Sequence, residues 1–144
     1  MVILWSNVIN ILFGIHIFVG VIALLSAALA LSTEKGKKFH VLSGKSYFWA
    51  MVLIFLTAIP MSIINSNVFL FLVAIFSFYL AFSGMRFARN LKGIPARIDL
   101  IAVNFMFLSG AGMWILAIIF FINSNSQFIT LIVFGFLALF LGYG

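Results

Sequence analysis

The side chains with which this 144-residue chain could do chemistry are few: two histidines, eight lysines and arginines, two acids, three tyrosines and no cysteine. Without cysteine there is no thiolate nucleophile, disulfide framework, iron–sulfur cluster or thiolate zinc site. Two acids are too few to assemble paired-carboxylate glycosidase or two-metal chemistry with ease. No GxGxxG, Walker, HExxH, GxSxG or EF-hand spacing occurs either. The sequence therefore assigns no catalytic residue and no metal site, and the balance is against an enzyme.

His16 stands inside an apolar run, Phe13-Gly14-Ile15-His16-Ile17-Phe18. An imidazole there has three uses: axial ligand to haem or a metal, proton relay, or neutral hydrogen-bonding group between helices, the last being the commonest. His40 lies beyond the end of that run. Two imidazoles on one haem iron need nitrogens about 4 Å apart, twice a metal–imidazole bond. His16 is about 22 Å from a helix end near Leu31 at 1.5 Å per residue, which disfavours a single-chain bis-histidine haem. Met113, at a similar depth in a later helix, could complete a His/Met pair, or a second copy could supply a second His16. Methionine in an apolar helix is more often filler.

Charge is confined to two windows. Glu34, Lys35, Lys37, Lys38 and Lys45 form one; Arg86, Arg89, Lys92, Arg97 and Asp99 form the other, and the net charge is +6. Such a surface attracts anionic lipid head groups at about 1 kcal/mol per basic residue near a membrane. Gly44 beside Lys45, and Gly93 in the second window, would let backbone approach an anion, and a helix starting near Lys45 would add free N–H groups. The candidate ligand site is thus His40, Gly44, Lys45, Arg86, Arg89, Arg97 and Asp99, with His40 and Asp99 orienting it. Asp99, opening a helix, also complements the helix dipole and can pair with Arg97, Arg86, Arg89 or a protonated His40. A His40–Asp99 proton-transfer pair is an alternative use, and Glu34 reads as a solvated loop charge.

The elements that must position these groups follow from the same charge map. The chain is 66% hydrophobic and 7% charged, with a mean hydropathy of +1.35, far from the roughly 25% charge of a water-soluble domain. It reads as a membrane protein. The charge-free stretches 1–33, 46–85 and 100–144 hold one, two and two spans of about 20 residues. Pro60 with Asn65, Ser66 and Asn67 divides the second stretch, and the run Asn123 to Gln127 divides the third.

The reading is an all-α polytopic bundle in a single integral membrane domain over 1–144, with helices at 8–31, 45–64, 68–88, 98–122 and 128–143. Five spans put the two basic loops on one side, so the N-terminus is outside and the C-terminus inside. Unbroken apolar runs exclude the alternating segments of a barrel. Met1 to Asn7 has no basic residue, so the first helix is read as retained rather than as a signal peptide. The last span is the shortest, and a re-entrant or interfacial helix is its rival reading. Trp5, Tyr47, Trp49 and Tyr143 lie where interfacial aromatic anchors belong.

Small residues mark the expected packing faces: Gly20, Ala23, Ala27 and Ala30 in helix 1, Ala74, Ser77, Ala81 and Gly84 in helix 3, and Ser109 to Gly112 in helix 4. The helix 3 phenylalanines read as lipid-facing or packing bulk. Asn104 and Tyr79 each call for a partner on another helix or a water.

The pattern His16-x-x-x-Gly20 with Ala23 and Leu24, then Lys35-Gly36-x-x-x-His40-x-x-x-Gly44-Lys45-x-Tyr47, resembles bacterial membrane proteins of the domain of unknown function 2306 family over residues 14–50. Asp99 opening a later helix fits that pattern less distinctively. The resemblance implies a multi-helix protein of the bacterial inner membrane with no established activity. Three functions are then expected in order: binding of an anionic lipid or small anionic ligand at the basic face; a haem- or quinone-contacting redox role for His16; and a small transporter or accessory subunit. The partners expected are the bilayer and a second copy or another membrane protein, not nucleic acid, because the basic charge lies at a membrane face with no extramembrane domain.

Overall fold

The computed structural model describes residues 2–90 and 93–143, with side chains for 7–90 and 93–142. Five helices hold nearly all of the described residues, among which there is no strand: α1 Val2–Ser32, α2 Lys38–Ile64, α3 Val68–Arg89, α4 Arg97–Ile122 and α5 Gln127–Tyr143. Within them, Asn7–Ser32, Lys38–Ile64, Val68–Arg89 and Arg97–Ile122 are long and apolar enough to cross a membrane, and α5 is a shorter apolar helix. Their outer surfaces carry the large apolar side chains: Phe18, Leu24, Leu108 and Phe140 are each more than two-thirds exposed. Water would not tolerate that distribution, whereas acyl chains solvate it.

Helix boundaries match the charge map except at the starts of α1, at Val2 rather than residue 8, and α2. The expected start at residue 45 is corrected to Lys38, because the α1–α2 connection closes in a few residues. Lys37 N–H donates to Glu34 O at 3.2 Å, and Gly36 takes φ +85°, a left-handed conformation that favours glycine. Pro60 lies inside α2, and the break falls at Asn65, whose N–H returns to Met61 O.

The chain divides into two compact units, Met1–Asn67 and Val68–Gly144. The first is an antiparallel hairpin of α1 and α2 built on Val19, Ala23 and Ala50, with Tyr47, Met51 and Ile54 packed around them. Ser26 is buried as well. The seam of α1 therefore runs through positions 19, 23 and 26, one helix face at +4 and +3 spacing that includes one member of the expected small-residue stripe.

The second unit packs α4 antiparallel to α5 and sets α3 beside them. Its core is Leu72, Phe76, Tyr79, Met106, Met113, Ala117, Leu131 and Ala138. Phe76 meets Phe134 edge-on at 5.3 Å. Glycine brings α4 and α5 together: a Cβ on Gly110 would lie 3.0 Å from Ala138 Cβ, and one on Gly135 only 2.2 Å from Trp114 Cδ1. Asn104 corrects an expectation, since it is exposed and donates its amide to Leu100 O of its own helix at 2.8 Å. Tyr79 does find another helix, donating to Leu141 O at 3.4 Å.

Candidate functional site

In the first unit, His16 Nδ1 lies 2.8 Å from Thr57 Oγ1. The threonine has one proton, and its oxygen sits 3.0 Å from Leu53 O and 2.9 Å from Ile54 O, carbonyls that only accept. That proton goes to its own helix, so the hydroxyl oxygen accepts from His16 Nδ1–H. In a neutral imidazole this hydrogen bond selects the tautomer with the lone pair on Nε2. His40 is constrained in the same manner: Nδ1 donates to Ala30 O at 2.9 Å. Ala30 is among the last residues of α1, whose terminal carbonyls have no intrahelical donor. Ser32 and Thr33 hydroxyls satisfy Ala28 O and Leu29 O there.

Gly44 and Lys45 are exposed and stand more than a turn inside α2, so the helix N-terminus expected beside them is seven residues away, at Lys38. Backbone N–H groups at Gly44 and Lys45 belong to the helix ladder, which corrects the expectation that they would be free for an anion. Gly93, by contrast, takes φ +66° in the α3–α4 loop.

In the second unit, Arg86 and Asp99 form a two-pronged pair: Nε donates to Oδ1 at 2.8 Å and Nη2 to Oδ2 at 2.9 Å. Asp99 Oδ2 also accepts from Ala96 N–H at 2.8 Å, closing the first turn of α4. Both carboxylate oxygens are thus engaged. Of the four partners open to Asp99 in the sequence, Arg86 is the one it takes. Arg89 and Arg97 are exposed. Lys92 lies outside the described residues, as do the side chains of Trp5 and Tyr143. Met113 is wholly buried in the core of this unit, where its side chain is packing.

Beside the Arg86–Asp99 pair is a cleft of about 570 Å³ walled by α3, α4, the loop between them and Leu141 of α5. The polar side chains on its α3 side are Tyr79, Ser83 and Arg86, with Asn90 just past the helix end. The sequence marks Tyr79 and Arg86 one at a time; the signal that joins them to Ser83 and Asn90 is the +4, +3, +4 spacing, a polar stripe along and just past an otherwise apolar helix.

The electrostatic arithmetic is short. Glu34 pairs with Lys37 and Asp99 with Arg86, and the chain has no other acidic side chain. Among the described residues, Lys35, Lys38, Lys45, Arg89 and Arg97 form no ion pair with either acid. Among the described residues no group of three or more His, Asp and Glu could hold a metal ion.

Comparison of the chain with protein-family models, curated proteins and solved structures finds no match.

Proposed function

We propose that this is a multi-pass protein of the bacterial inner membrane that binds anionic lipid head groups, or small anions of the same chemistry, at two basic loops and catalyses no reaction. In this reading all five helices cross, the N-terminus lies outside and the C-terminus inside, and the loops at 33–37 and 90–96 face the cytoplasm. The observation that carries it is the engagement of both acidic side chains, which among the described residues leaves Lys35, Lys38, Lys45, Arg89 and Arg97, near the ends of helices of membrane-spanning length, to be neutralised by other groups. The resemblance of residues 14–50 to the domain of unknown function 2306 family supports the same membrane and the same basic loop.

Lipid retention tests it. The full chain in neutral detergent, mixed with equimolar phosphatidylcholine and phosphatidylglycerol and then washed, is expected to keep phosphatidylglycerol preferentially. Raising the salt, or combining Lys45→Gln, Arg89→Gln and Arg97→Gln, should erase the preference. Equal retention of the two lipids by the unaltered chain would sink the proposal.

A second reading is favoured by His16. Its Nδ1–H is held by Thr57, and a histidine whose one nitrogen is so held presents the other as a ligand or hydrogen-bond acceptor. Haem iron or a quinol hydroxyl fits that lone pair, while Met113, being fully buried, offers no sulfur surface for a haem. A Soret band in protein from haem-sufficient cells, abolished by His16→Ala, would establish haem binding at His16; a featureless spectrum would remove haem.

A further inference from the structure

We infer that the cleft between α3 and α4 is the seat of a single anionic lipid, whose phosphate oxygens take the spare N–H groups of Arg86 and whose acyl chain lies along the apolar wall below. This rests on the anionic-lipid reading and gives it a place in the second unit. The cleft, at about 570 Å³, is of the size that holds small ligands. Its polarity changes along its length. Arg86, Asp99 and Asn90 stand toward the loop end, while Phe82, Val103 and Leu141 are among its apolar lining. From Arg86 back to Tyr79 the wall of α3 runs seven residues, about 10 Å at the helical rise.

Hydrogen-bond accounting gives the sign of the head group. A guanidinium has five N–H donors, and Asp99 takes two of them. Asp99 has no oxygen left unengaged, because Arg86 and Ala96 N–H hold both. Asn90 uses its amide nitrogen on Ile94 O at 2.8 Å. The ion-pair end therefore has donors in surplus, and the group that matches it is rich in acceptor oxygens. Arg86 is one-third exposed at its side chain, so the surplus is reachable. An acidic phosphate on an acyl chain satisfies both ends of the cleft at once; a free phosphate satisfies only one.

The absence of cysteine makes the test direct. Ser83→Cys places a single thiol on the wall of the cleft, and Ser126→Cys places one on the exposed α4–α5 loop as a control. Each full-length variant is reconstituted in phosphatidylcholine nanodiscs with or without phosphatidic acid, and its rate of reaction with N-ethylmaleimide is measured. Phosphatidic acid is expected to slow labelling of Cys at 83 several-fold and leave Cys at 126 unchanged. Arg86→Gln, and separately Val103→Trp, which fills the apolar wall without touching the ion pair, should each remove the protection.

Retention of phosphatidylglycerol in the loop assay with no protection at position 83 would overturn the cleft assignment and leave the loop reading standing. Loss of both would overturn both. Equal protection by millimolar glycerol phosphate would overturn the lipid assignment in favour of a free anion.

Discussion

Both histidines are tied by Nδ1 to an oxygen in their own hairpin, and each tie has a structural consequence. Thr57, 41 residues from His16, converts a polar group inside α1 into a bond between helices. Hydrogen bonds of this kind in membranes contribute on average about 0.6 kcal/mol, with larger values up to about 2. Thr57→Val keeps the shape and removes the acceptor, so it should weaken hairpin stability by about 1 kcal/mol and reduce the further effect of His16→Ala. A double-mutant cycle on the refolded chain that gives zero coupling would show the bond to be idle. Arg86 and Asp99 make a second pair, exposed enough that neither single loss need be large. Arg86→Gln and Asp99→Asn should lower the thermal midpoint together by less than the sum of their separate effects, read from unfolding in detergent. Of these partners, the sequence carried the types and not the pairing. Asp99 had four cations to choose from, and only the antiparallel return of α4 along α3 selects Arg86, thirteen residues back.

At the scale of the element, periodicity and charge made the starts of α3, α4 and α5 and all of the breaks legible, because apolar length and turn chemistry are local properties. The start of α2 was not. Lys38, His40 and Lys45 look like a loop when read as charges. In the fold, Lys38 and Lys45 are exposed residues of a helix, while His40 is drawn in by the end of α1. Glycine behaves likewise. Gly135 gave no sign of its role, although Gly110 stood in a run already marked as a close-approach face. A Cβ at 135 would meet Trp114 at 2.2 Å, and that indole also packs edge-on against Phe136 at 4.7 Å. Gly135→Ala should therefore destabilise the second unit by about 1–3 kcal/mol, the usual cost of overpacking. Trp114→Leu in the same chain should recover part of the loss. An alanine variant as stable as the parent would mean that the indole has another place to go.

For the whole molecule, the decisive quantity is the number of crossings, since parity fixes which side each loop faces. Four helices have the length; α5, at 17 residues, spans about 25 Å against a hydrocarbon core of about 30 Å. A deficit of about 5 Å costs only fractions of a kcal/mol per ångström, which local thinning of the bilayer can absorb. Leaving α5 outside the bilayer would instead expose Phe136 and Phe140 to water along with most of its surface. The second cost is the larger, so α5 should cross. The cysteine-free sequence again permits a direct check in sealed, right-side-out vesicles with a thiol reagent that cannot permeate. Cys introduced at Ser126 should label without lysis, whereas Cys at Lys35 and at Gly144 should label only after it. Labelling of Gly144→Cys from the same side as Ser126→Cys would place α5 in the interface and leave four crossings. Labelling of Lys35→Cys from outside would invert the chain and put its uncompensated cations against the wrong leaflet.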